Sequence, residues 1–186
     1  MKKLSLALFI FCLPFFANAE RRREMATEDT LLYKLEIFSS YIKAIKNSVG
    51  SKIFKNLFYI IKGRSIDALQ NGNLSCAYFV STILRHFDLI KEWRTSVDGL
   101  VEEMEECGWE KILKPRKGAV IVWEKMYFRH SGEWHGHIGF YIGGGWAIST
   151  SSFRRAPTAH PWQAYSGSQK KRKIIAIYWH KKLEKN

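Results

Sequence analysis

The sequence predicts an α+β domain, with helices packed on one face of an antiparallel sheet of about four to five strands. Three observations predict it. Apolar residues recur at helical spacing in the first part of the chain. β-Branched and aromatic runs, punctuated by glycine-rich turns, fill the second part. The joins between most of those runs are short, as antiparallel neighbours allow and parallel crossovers do not.

At 186 residues the chain is one domain's worth, and 46% hydrophobic and 15% aromatic content is enough for a real core. That composition excludes a disordered protein. Residues 1–19 read as a signal peptide: Lys2 and Lys3 precede the apolar run Leu4–Phe16, and Ala17-Asn18-Ala19 is a cleavage site of the A-x-A kind. Export to the periplasm or the medium is expected, with no membrane span after cleavage. The formal net charge is +13, or +11 without Lys2 and Lys3. Such a chain is drawn to polyanions, and export makes a nucleic-acid partner less accessible than a cell-envelope polymer. Cys12 leaves with the leader. Cys76 and Cys107 remain, too few for a disulfide scaffold.

Residues 20–70 read as a helical segment packed on the domain. Thr27 is a plausible N-cap, and Leu31, Leu35, Phe38, Ile42 and Ile45 form one helical face. Lys52–Ile61 is ambiguous between helix and strand and is assigned helix; Ser65–Leu69 reads as a single turn. Asn71-Gly72-Asn73 breaks the chain. Residues 71–186 then carry the chemistry. Ser75 reads as an N-cap, which puts Cys76 at the first position of a helix with Phe79, Val80, Ile83, Leu84 and Phe87 inward. Unpaired amides and the helix dipole there favour a thiolate. Thr95 or Ser96 caps a helix Val97–Cys107, stopped by Gly108. Trp109–Leu113 and Ala119–Trp123 read as strands, and Lys125–Trp134 as a loop. His137–Ile142 and Trp146–Ser151 form a hairpin across Gly143, Gly144 and Gly145. Phe153–Arg172 reads as a long polar loop, and Lys173–Trp179 as the last strand.

A cysteine at a helix start and a histidine on a strand are two parts of a cysteine hydrolase. The stretches Ser75–Ser81 (SCAYFVS), Leu113–Trp123 (LKPRKGAVIVW) and His137–Ser149 (HIGFYIGGGWAIS) resemble, in that order, the nucleophile helix, the approach strand and the histidine hairpin of the NlpC-type cell-wall cysteine peptidases and their CHAP-type amidase relatives. The resemblance covers about Ser75–Ser151 and the closing strand. It implies a papain-like fold and cleavage of an amide bond in peptidoglycan, with Cys76 as nucleophile and His137 as base and no cofactor. Two departures stand out. Ser75 replaces the family's usual Asp, and the third position, usually His, Asn or another polar group, falls on Ser149. A one-residue register shift would offer Thr150 instead, and His160 in the following loop is a further alternative.

Other readings compete. A catalytically degenerate module that binds cell wall through the same groove fits the weak third position. His135 and His137, two apart on a strand, resemble part of a zinc peptidase site, with His130, Glu133, His160 and His86 as further donors. The simpler reading of His135 is a solvated loop-edge residue. Trp134 and Trp146, flanking the hairpin, are candidates for a substrate groove. Lys170–Lys173 reads as a solvated turn, and a monomer is expected. Intact-mass measurement of the exported protein should place the mature N-terminus at Glu20; a start elsewhere, or no cleavage, refutes the leader assignment.

Overall fold

The structure, a computed structural model, describes residues 33–128, 132–163 and 172–184. The expected leader, Thr27 and His130 lie outside them. Tyr33–Glu36 precedes the compact unit that begins at Ile37 and is not helical. From Ile37 the described residues fold as α+β, with three α-helices, a six-stranded antiparallel sheet and a separate two-stranded ribbon. The sheet is larger than the four to five strands expected.

The helices are α1 (Ile37–Asn47), α2 (Cys76–His86) and α3 (Val97–Glu106). The ribbon pairs β1 (Phe58–Ile61) with β2 (Arg64–Asp67). The sheet runs in the order β3 (Trp109–Lys111), β8 (Ile174–His180), β4 (Val120–Phe128), β5 (Glu133–Gly143), β6 (Trp146–Ser151), β7 (Ala156–Pro161).

Four expectations are corrected. The first helix starts at Ile37, and Leu35 is exposed rather than on its buried face. Lys52–Ile61 is not helical: it turns and then enters β1. An apolar run of that length has no period that separates helix from strand, and Asp67 decides the outcome. Its carboxylate accepts from the amides of Leu57, Leu69 and Asn71 and from the Asn56 side chain, which closes the base of the ribbon and draws Arg64–Asp67 into a strand. The expected loop after Trp123 is strand through Phe128, with β5 beginning at Glu133. A bulge hides this from the sequence. Trp123 pairs with His137 but Met126 pairs with His135, so the alternation breaks at Glu124 and Lys125. The expected polar loop after Phe153 contains β7, an edge strand on which Pro157 and Pro161 are tolerated.

The main core lies between the helices and one sheet face. Tyr41, Phe79 and Phe140 meet edge to face, with centroids 5.7 Å apart for Tyr41–Phe140 and 5.5 Å for Phe79–Phe140. The Tyr41 hydroxyl donates to the Gly118 carbonyl at 2.8 Å, tying α1 to the turn before β4. The other sheet face carries a smaller cluster of Ile121, Trp123 and Ala147, joined by Tyr141 and Trp162. Phe79 fixes α2, and hence Cys76, against β5. Phe79→Ala should cost about 3–5 kcal/mol in urea unfolding, the usual range for a buried phenylalanine; a loss below about 1 kcal/mol would refute its place in the core.

Candidate active site

Cys76 opens α2, as its spacing predicts, but Ser75 does not cap the helix. Its φ and ψ are −91° and 4° rather than extended, and its buried hydroxyl donates to the Gly72 carbonyl at 3.1 Å. The helix amides therefore stay available near the sulfur.

The sheet supplies a further amide. The Tyr141 amide bonds the Ala119 carbonyl, and the Gly118 amide bonds the Tyr141 carbonyl, so Tyr141 points its backbone groups at the β4 side. By strand alternation Ile138 points its own toward β6. Pairing of β5 with β6 reaches Phe140 opposite Ile148 and goes no further toward His137. The Ile138 N–H is thus free of the ladder, and it acts on the Cys76 sulfur together with the Ala77 amide. The sulfur sits where β5 and β6 part, beside the peptide that joins His137 to Ile138.

His137 and Trp123 share the face opposite the main core, their rings 5.2 Å apart. His137 Nε2 lies 2.8 Å from Ser149 Oγ, and Ser149 Oγ lies 2.7 Å from His160 Nε2. His160 Nδ1 lies 2.8 Å from the Pro161 carbonyl. A carbonyl only accepts, so Nδ1 of His160 carries its proton and Nε2 accepts from the Ser149 hydroxyl. Ser149 Oγ then accepts from His137 Nε2–H, which leaves His137 Nδ1 unprotonated. The chain of three side chains holds one imidazole in the tautomer a general base requires.

Gly139 makes room for it. A Cβ there would stand 2.6 Å from the Ser149 Cβ and 2.6 Å from the Ile148 carbonyl oxygen. Thr150, the alternative to Ser149, alternates to the other face, and its buried hydroxyl has no hydrogen-bond partner. His160, expected in a loop, sits on β7 opposite Ala147, diagonal to Ser149.

Arg172 is the residue sequence reading missed. Expected at the edge of a solvated basic turn, it donates from Nε to the Glu124 carbonyl at 2.7 Å and from Nη2 to the His135 carbonyl at 2.6 Å. It fills the β4 bulge, and its charge reaches both Cys76 and His137. Nothing local in the sequence distinguishes it from its basic neighbours.

Burial governs the electrostatics. It raises the Cys76 thiol above its ordinary value of 9.0, outweighing the Ile138 and Ala77 amides and the Arg172 charge. The expectation of a low thiol pKa is therefore corrected: the helix terminus works in the predicted direction, but desolvation is larger. Burial, then the charges of Arg172 and His160, pushes His137 down to about 3. At neutral pH the pair is a thiol and a neutral imidazole. Among the described residues no hydrogen bond joins the sulfur to an imidazole.

The remaining candidates lie apart. Trp134 and Trp146 are both exposed and alternate to the face away from His137 and Ser149. The aromatic residue at the imidazoles is the buried Trp123, which also packs on His160 at 5.7 Å and donates from its indole to the Trp162 carbonyl. His135 is part-buried within β5 rather than solvated at a loop edge. It pairs with Glu133 at 3.5 Å and packs on Phe128. Among the described residues no three His, Cys, Asp or Glu side chains converge as a metal-holding group. Cys107 is a free thiol at the C-cap of α3, with its sulfur 3.5 Å from Glu103 Oε1.

No protein-family model matches the chain, and no curated protein matches it.

The lowered pKa of His137 has a consequence for stability. Between its unfolded value of 6.5 and about 3, the unfolded chain binds a proton that the folded chain does not. Stability is therefore full above pH 6.5 and falls as pH drops through that window. Thermal melts from pH 7 to pH 4 should show the decline, and His137→Gln should make it shallower. An equal slope in the variant refutes the neutral imidazole.

Proposed function

We propose that the chain is an exported cysteine hydrolase with a papain-like fold of the NlpC and CHAP type, cutting an amide bond in peptidoglycan. The observation that carries this reading is the placement of Cys76: a thiol on a helix N-terminus, against the Ile138 amide of the strand that carries His137, whose ring Ser149 and His160 orient. The resemblance of the three stretches around these residues supports the choice of substrate, as does the basic charge of the chain.

In this reading His137 Nδ1 takes the thiol proton as the sulfur attacks the scissile carbonyl carbon. The negative charge that develops on the carbonyl oxygen meets the helix-start amides of Cys76 and Ala77. Arg172 adds a positive charge held in place by two carbonyls. His137 then passes the proton to the departing amine, leaving an acyl thioester on Cys76. A water, deprotonated by the same ring, hydrolyses that thioester and regenerates the thiol. A neutral imidazole and a neutral thiol suit proton transfer concerted with attack, rather than a standing ion pair.

A second reading, a degenerate module that binds cell wall, draws on two observations: the raised thiol pKa and the missing sulfur–imidazole bond. Mass spectrometry of muropeptides after incubation separates the two. The hydrolase reading expects new cleavage products from the wild type and none from Cys76→Ala or His137→Ala. Ser149→Ala should retain turnover reduced on the order of 10- to 100-fold, because it orients the base without reacting. Unchanged hydrolysis by Cys76→Ala refutes the mechanism, and intact muropeptides with the wild type favour the binding module.

A further inference from the structure

The β1–β2 ribbon has no part in the chemistry above, and its surface is unusual. All four residues of β1 are exposed, Phe58 by 63% and Ile60 by 74%, with Tyr59 and Ile61 about half exposed and Ile66 of β2 beside them. Side chains alternate along a strand, so Phe58 and Ile60 leave one face of the ribbon while Tyr59 and Ile61 leave the other. Both faces are apolar and open. A protein partner laid against a ribbon covers one face; a bilayer takes in both.

Charge points the same way. Lys62 and Gly63 turn the ribbon with φ of +50° and +73°, and Arg64 follows, so the tip is cationic. Lys55 stands near its base, beside Gly72. Asp67 is the one carboxylate between Ser48 and Ser75, and it is turned inward onto the ribbon's own amides. The β6–β7 turn adds to this side: Arg155 packs against the Gly72 backbone, and its neighbour Phe153 is 92% exposed. Exposed aromatic and aliphatic side chains interleaved with Lys and Arg, and with no free carboxylate, match the boundary between anionic headgroups and acyl chains.

We propose that the β1–β2 ribbon docks the protein on an anionic lipid bilayer, its apolar side chains entering the headgroup boundary and Lys62 and Arg64 meeting the phosphates. The ribbon runs through residues 68–75 directly into Cys76, so docking holds the candidate site close to the membrane surface. The proposal does not depend on the site being catalytic.

Hydrogen exchange read by mass spectrometry tests it on the chain from Glu20, without the expected leader, with vesicles of phosphatidylcholine alone or of an equal mixture with phosphatidylglycerol. The expected result is protection of residues 58–67 with the mixed vesicles and not with phosphatidylcholine. In co-sedimentation, the double variant Phe58→Ser, Ile60→Ser should lower affinity for mixed vesicles about a hundredfold, since two large apolar side chains lose their burial. Lys62→Glu with Arg64→Glu should remove the preference for the anionic lipid. Leu113→Ser, at a 99% exposed position outside the ribbon, should bind as the wild type. All these side chains are exposed, so unchanged thermal melts will show that the fold is kept. A footprint that leaves residues 58–67 unprotected overturns the proposal, as does wild-type sedimentation by the double serine variant. Protection of the ribbon by isolated peptidoglycan but not by vesicles also overturns it, in favour of a polymer partner.

Discussion

Ser149 lies where a side chain on residue 139 would have to be. Because residue 139 is glycine, β6 can bring a hydroxyl over the β5 backbone and set it 2.8 Å from His137 Nε2. Much of the site depends on that close approach. It directs one ring nitrogen of His137 into the sheet and leaves the other bare. It also puts Ser149 within reach of His160 on β7, so an edge strand contributes to orienting the ring. Pairing of β5 with β6 stops just before it, and the gap left behind frees the Ile138 amide for the Cys76 sulfur.

The site is a contest between burial and positive potential. The helix terminus, the Ile138 amide and Arg172 all favour negative charge on the sulfur, yet desolvation raises the thiol pKa. The same burial and the same arginine keep His137 neutral. Serine is a consistent partner for that ring. A carboxylate would favour a charged imidazolium, whereas a hydroxyl backed by a neutral histidine orients the ring and leaves its charge alone. The cost of protonating such a ring appears as loss of stability in acid.

The two bends in regular pairing serve different ends. The β4 bulge at Glu124 and Lys125 opens a slot that Arg172 fills through two carbonyls, which brings a charge from beyond β7 toward Cys76. The parting of β5 and β6 admits the sulfur. Regular strands on either side hold both irregularities in place. Bulges are frequent next to active sites because they re-aim groups without disturbing the sheet.

Much of this was legible in the residues themselves. Cys76 at a helix start, Ser96 and Gly108 around α3, and the hairpin carrying His137 and Ser149 all follow from local rules: apolar period, capping chemistry and positive φ at glycine. Ser149 is singled out by the spacing of the family the hairpin resembles, while strand register by itself leaves Thr150 as the alternative. What local rules could not supply was decided by contacts between distant segments. Arg172 reaches the site only because β8 runs beside β4 and the bulge opens there. β7 was hidden by its prolines, which only an edge position tolerates. β1 looked helical because an apolar run carries no period of its own, and the Asp67 carboxylate settled it through amides on both sides of the ribbon. The thiol pKa went the same way. The helix dipole is written in the chain next to Cys76, whereas the desolvation that outweighs it comes from packing α2 onto β5 and β6, which exists only once the chain has folded.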